Sequence, residues 1–157
     1  MWTPKREERE KKYYDGAFPS LDLVGNRFHF PEQLLNDFRL RNTNMEVEEF
    51  YAFPINIDGV RCVSLFDPTF IDADKSGRLK KDQAHIMMPD QSLFVEISDY
   101  IKKYLSLLDK IAVEGHNEVV RLWNPCDFLE YSETSGVEFR GDLTQFQRDS
   151  YRYLKGL

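Results

Sequence analysis

Cysteine is scarce in this chain of 157 residues: only Cys62 and Cys126 occur, in the unlike settings VRCVSL and WNPCDF. Two scattered thiols supply neither a disulfide framework nor a CxxC zinc signature, so a stapled or zinc-ribbon fold is excluded. Histidine is nearly as rare, and His29, His85 and His116 lie too far apart for a spacing-based metal site. Basic residues are outnumbered, 21 Lys and Arg against 27 Asp and Glu. The resulting net charge of -6 argues against nucleic acid as a direct partner, because phosphate binding rests on cations. No apolar run approaches the roughly 20 residues of a bilayer span, and no membrane partner is expected. The start, MWTPKREEREKK, has no apolar stretch behind its basic residues, so no secretory signal is expected and the chain reads as cytoplasmic. GxGxxG, the phosphate loop GxxxxGK[ST] and the GxSxG elbow are all missing, so the expectation is a protein that is not an enzyme and holds no cofactor.

What is present is core-forming material. Hydrophobic residues make up 41% and aromatic residues 14%, with 12 Phe and 8 Tyr, which rules out a wholly disordered chain. The length fits one domain over 1–157, with residues 1–15 set apart as a peripheral exposed helix. There Thr3 and Pro4 open residues 3–14, and Glu7 and Glu8 stand one turn before Lys11 and Lys12.

Local patterns then place the elements. Residues 21–30 read as a strand interrupted at Gly25. Pro31 opens a helix over 31–41 whose Leu34, Leu35 and Phe38 share a face. Two apolar runs around Asp58-Gly59 read as a β-hairpin over about 46–66, with Ile57 opposite Val60, Ile55 opposite Cys62 and Tyr51 opposite Phe66. Pro54 cannot donate to a ladder, which puts its strand at an edge or a bulge. The strongest helical period covers 92–115, through Phe94, Ile97, Ile101, Tyr104, Leu105, Leu108 and Ile111, capped by Ser92 and ended by Gly115. NEVVRLW and GVEFR read as strands and residues 142–156 as a closing helix, with Asp142 and Gln145 as a capping box. No internal repeat is evident. The expected fold is α+β: a mainly antiparallel sheet with a central hairpin, covered by three or four helices.

Three constellations bear on function. In DADKSGRLKKDQ, residues 72–83, Asp72, Asp74, Ser76 and Gly77 resemble the calcium loop of the EF-hand family at its first, third, fifth and sixth positions. Gln83 replaces the bidentate acid of that loop, Lys75, Arg78, Lys80 and Lys81 surround the site, and the hairpin precedes it in place of an entering helix. Turn chemistry is the expected reading, with a weak calcium-binding module as an alternative. A second alternative is a small enzyme using His116, Cys126 and Asp127.

The third constellation is an acidic stretch from Glu114 to Asp142. Its acids are Glu114, Glu118, Asp127, Glu130, Glu133, Glu138 and Asp142, and its bases only Arg121 and Arg140. Trp123, Phe128, Tyr131 and Phe139 interleave them, with NPCDFLEYSETSGVEF read as a loop-and-strand rim. Acids beside exposed aromatics suit a basic protein partner: aromatics anchor by desolvation, and carboxylates steer the encounter. The expected docking residues are Trp123, Asp127, Glu130, Tyr131, Glu133 and Glu138. In character the chain resembles a bacterial toxin immunity protein, which would make it a small acidic inhibitor of a basic, nuclease-type toxin.

Overall fold

The turn at Asp58-Gly59 folds as its sequence dictates: both residues take positive φ, 52° and 84°, and the flanking strands pair as expected. The computed structural model describes residues 13–43 and 47–135. Its elements are β1 (Tyr14–Val24), β2 (Arg27–His29), α1 (Glu32–Arg41), β3 (Phe50–Ile57), β4 (Val60–Phe66), α2 (Pro68–Ala73), a single 3-10 turn (Lys81–Gln83), β5 (His85–Met87), β6 (Phe94–Glu96), α3 (Asp99–Tyr104), β7 (Lys110–Asn117), β8 (Val119–Trp123) and α4 (Pro125–Ser135). The expected helix over 3–14 lies outside the described residues except at its end, where Tyr14 opens β1 instead. The strand GVEFR and the closing helix at 142–156 also lie outside them.

The expected helix-covered sheet is not what forms. All eight strands join one antiparallel sheet in the order β5-β3-β4-β8-β7-β1-β2-β6. The sheet curls into a nearly closed barrel, since Met87 of one edge strand and Val95 of the other enter the same core cluster. The four helices are short. Leu34, Leu35 and Phe38 of α1 and Ile101 of α3 bury into the inner core, whereas α2 and α4 pack on the outer face.

The helix expected over 92–115 is replaced by a strand, a one-and-a-half-turn helix and a longer strand. Leu93 and Ser106 take positive φ, 66° and 54°, which a continuous right-handed helix cannot contain. Ser98, not Ser92, caps α3 by accepting from the Ile101 amide at 3.1 Å. Two residues of the helical period, Phe94 and Leu108, are exposed, and from Ile111 to Glu114 every residue is buried because both faces of the strand are covered. Ile111 and Val113 face the inner core, while Ala112 faces the outer cluster. Pro54 is accommodated because β5 pairs only with Phe50–Ala52, leaving the outer side of β3 free beyond them.

Contrary to the sequence reading, the chain does contain a repeat. Its elements run ββαββα twice, β1 to α2 and then β5 to α4. Exchanging the halves turns the run β5-β3-β4-β8-β7-β1 into its own reverse. The β2–β6 ladder exchanges with itself about the pair Phe28–Val95, as do the flanking bonds from Phe30 N to Leu93 O and from Ile97 N to Asn26 O. The sequence carries the same signature once in each half: Leu65-Phe66-Asp67-Pro68 and Leu122-Trp123-Asn124-Pro125. In each, the acid or amide caps the helix that follows, Asp67 accepting from Phe70 N and Asn124 from Cys126 N.

Close approach at β1–β7 demands Gly115. A Cβ there would lie 2.8 Å from Asp15 N and 3.0 Å from Tyr14 C, both backbone atoms that cannot yield, and 2.8 Å from Leu34 Cδ2. Gly115→Ala should therefore cost about 1–3 kcal/mol through overpacking, read as a lower urea midpoint with an unchanged slope.

Candidate functional site

The described part of the expected loop-and-strand rim, residues 124–135, is a helix with its cap, and the remainder of that rim lies outside the described residues. Asn124-Pro125 starts a helix, and α4 continues through 135, with Phe128 N bonding back to Asn124 O. Phe128 is fully buried and Leu129 and Tyr131 pack beside it on the outer face of the sheet, in a cluster with Ala17, Cys62, Ala112 and Trp123. The opposite side of the helix carries Asp127, half-buried, and Glu130, exposed. Glu133 falls in the last turns of α4, and Glu138 lies outside the described residues.

Trp123 is core. It is 0% exposed, stacks on Tyr131 at 4.5 Å and contacts Phe128. Its Nε1–H donates to Glu114 Oε1 at 3.2 Å. Glu114 is buried too, beside Arg121, whose Nη1 lies 3.7 Å away and donates to the Tyr131 hydroxyl at 3.2 Å. Two charges of the acidic stretch therefore face each other inside the protein. Burial pushes the Glu114 carboxyl above the usual range, while Arg121, Trp123 and Tyr131 pull it down. Because its folded pKa is raised, the stabilising contribution of Glu114 is full at low pH and declines as pH rises through that pKa.

Away from the sheet, the described side chains of α4 include two acids, Asp127 and Glu130. Burial raises the Asp127 pKa, and the nearby Glu130 carboxylate raises it further, against the opposing pull of Arg61. Asp127 and Glu130 stand three residues apart on one helix, so their carboxyls are neighbours, with Arg61 as the cation that partly offsets them. Tyr131, half-buried against Trp123, offers only part of its ring.

The other candidates are placed apart. His116 sits at the turn end of β7 opposite Val119, whereas Cys126 lies beyond Trp123, which pairs with Ala112. Four residue steps of strand separate the two ends, on the order of 13 Å at the strand rise, so His116 stands apart from Cys126 and Asp127. Burial, followed by Arg121, lowers the His116 pKa. Cys62 is likewise buried, which pushes its thiol up to about 12 despite Arg121 and keeps it protonated.

In the 72–83 stretch, Asp72 ends up inside α2 and pairs with Lys81 at 3.4 Å. Asp74 turns away to accept from the Ser76 hydroxyl and amide, which hold its carboxyl below the usual range. A six-residue helix does enter this stretch, unlike the sequence expectation, yet the side chains make a turn, and among the described residues no cluster has a metal-ligand arrangement.

Sequence reasoning passed over one cluster. Asp67 is fully buried and accepts from Tyr14 at 2.7 Å, from Arg41 Nε at 2.6 Å and Nη2 at 3.3 Å, and from Phe70 N at 2.8 Å. Arg41, from the end of α1, also lies over the Tyr14 ring at 5.4 Å. Burial alone would raise the Asp67 pKa, but Arg41, the Phe70 amide and Tyr14 outweigh it and hold the carboxyl below its usual range. Asn124 plays the matching part in the second half, donating to the carbonyls of Leu105 and Ser106 at the end of α3. The Asp-Pro and Asn-Pro pairs were the signal available in the sequence.

No protein-family model matches this chain, and no curated protein is significantly similar to it.

Proposed function

We propose that this chain is a binding protein whose acidic α4 face docks a basic protein partner and blocks that partner's activity, in the manner of an immunity protein. The observation that carries the reading is the two-sided character of α4. Phe128, Leu129 and Tyr131 fix it to the sheet, while Asp127 and Glu130 crowd on the side left open. A helix held this way presents its carboxylates with little ordering cost on association. The docking set is Asp127, Glu130 and Glu133 with the open part of Tyr131, and Trp123 serves it from below as a positioning residue.

Reversing charge in a Glu130→Lys, Glu133→Lys double variant tests this. Surface substitutions of this kind change stability by no more than about 0.5 kcal/mol, so the melting temperature should barely move. Association with the captured partner should slow by about tenfold or more, since rim charges act mainly on the encounter rate. An unchanged association rate, or loss of the fold, would count against α4 as the docking face.

A further inference from the structure

The acidic helix α4 and the loop that follows α2 carry opposite charge. Where α4 is acidic, α2 leads into an exposed loop bearing Lys75, Arg78, Lys80 and Lys81. Lys81 pairs with Asp72 and lies over the Tyr51 ring at 5.4 Å, and Leu79 packs against the cluster of Tyr51, Phe66 and Ile71, so the loop is tied to the body at its far end. Among the described residues no ion pair engages Lys75, Arg78 or Lys80. At the foot of the loop opens a cleft of about 290 Å³ lined by Arg41, Thr69, Phe70, Ala73, Lys75 and the acids Asp74 and Glu118.

We propose that this cleft and loop form a second docking surface, for an acidic polypeptide segment that seats one small apolar side chain against Phe70 and Ala73 and lays its carboxylates on Lys75, Arg78 and Lys80. Charge complementarity selects the acidic partner, because Lys75, Arg78 and Lys80 lie exposed within one short loop of a protein of net charge -6, and among the described residues only Arg78 is drawn to an acid, Asp74. The cleft selects an uncharged anchor: Arg41 is already bound by Asp67, and Asp74 and Glu118 would repel a carboxylate there. A nucleic-acid duplex fits less well, since it would extend past the loop on a protein whose net charge is -6. A peptide places its charges within the loop's own footprint.

The probe is a fluorescein-labelled peptide of Asp and Glu flanking a central Leu, followed by anisotropy against the full chain at low and high salt. Binding should appear at low salt and weaken as salt rises. A Lys75→Glu, Arg78→Glu variant should bind about tenfold more weakly or worse, and Ala73→Trp, which fills the cleft but leaves the cations in place, should also lose binding. Glu130→Lys, Glu133→Lys should bind the peptide as the parent does, which separates this surface from the α4 face. The proposal fails if the peptide does not bind at low salt or if the charge-reversed loop binds equally well. It also fails if Ala73→Trp has no effect, or if a labelled DNA duplex binds more tightly than the peptide.

Discussion

Replacing Asp67 by Asn is expected to remove about 3–5 kcal/mol of stability, because it leaves the Arg41 guanidinium buried without its counter-charge. The side chain of Arg41 is 6% exposed and that of Asp67 is 0% exposed, so water makes up little of the loss, and Glu118, the other acid acting on Arg41, offsets only part of it. Asparagine keeps the size and can still accept from Phe70 N, which isolates the effect of charge from that of the helix cap. The pH dependence has a definite sign. Asp67 is held below its usual pKa when folded, so its contribution is complete above the unfolded value of about 4 and is lost as pH falls through the folded one. The parent protein should therefore lose stability on acidification over a range in which Asp67→Asn loses less. The reciprocal change, Asn124→Asp, sets a buried carboxylate against the carbonyls of Leu105 and Ser106. It should be as damaging near neutrality and partly relieved at low pH, where the introduced carboxyl can donate. Urea titrations of both variants near pH 7 and at about pH 2.5, below the usual aspartate range, would check the pair. If both variants proved neutral, the matching roles given to these two residues would be wrong.

Truncating Trp123 to Ala should cost about 3–5 kcal/mol, since a fully buried indole is replaced by a cavity beneath α4. Two further losses follow: Glu114 loses its Nε1–H donor, and Tyr131 loses the ring it stacks upon. Binding at the α4 face should fall with stability, because the helix would no longer be held in one position. Trp123→Phe separates these effects. It places on this side the residue type that Phe66 supplies in the first half, keeps most of the packing and removes only the hydrogen bond. Its cost should be about 1.5–3 kcal/mol, as for a lost bond to a charged group, with binding retained. Thermal unfolding of the two variants, followed by partner binding of each below its melting temperature, gives the comparison. A Trp123→Ala protein that kept its stability but lost its partner would show that the indole contacts the partner directly, contrary to its burial.

The elements legible in the sequence were those set by local chemistry. Asp58-Gly59 fixes a two-residue turn, and the turn fixes every pair of the β3–β4 ladder, so register followed from two residues. Likewise Pro31 and the spacing of Leu34, Leu35 and Phe38 specify α1 without reference to the rest of the chain. Misreadings occurred where tertiary packing overrode a local period. The apolar residues from Phe94 to Ile111 fit a helix, yet β6 and β7 are strands because each pairs with a partner distant in sequence, β2 and β1. In α4, where a loop-and-strand rim was expected, Pro125 is a helix start, and the buried side was readable only from the spacing of Phe128 and Tyr131. The repeat escaped notice because its halves share little beyond Leu-aromatic-Asp/Asn-Pro. The acidic stretch showed its charge correctly but not its depth: composition could not reveal that Glu114 and Trp123 point inward while Asp127 and Glu130 point out.

The most direct test of the acidic docking face is side-by-side affinity capture from source-cell lysate with the parent chain and the Glu130→Lys, Glu133→Lys variant, followed by binding of the captured protein at low and high salt. The expected result is a basic protein retained by the parent alone, whose affinity falls as salt rises and whose own activity stops when bound. Capture of the same protein by both chains, or binding indifferent to salt, would contradict it.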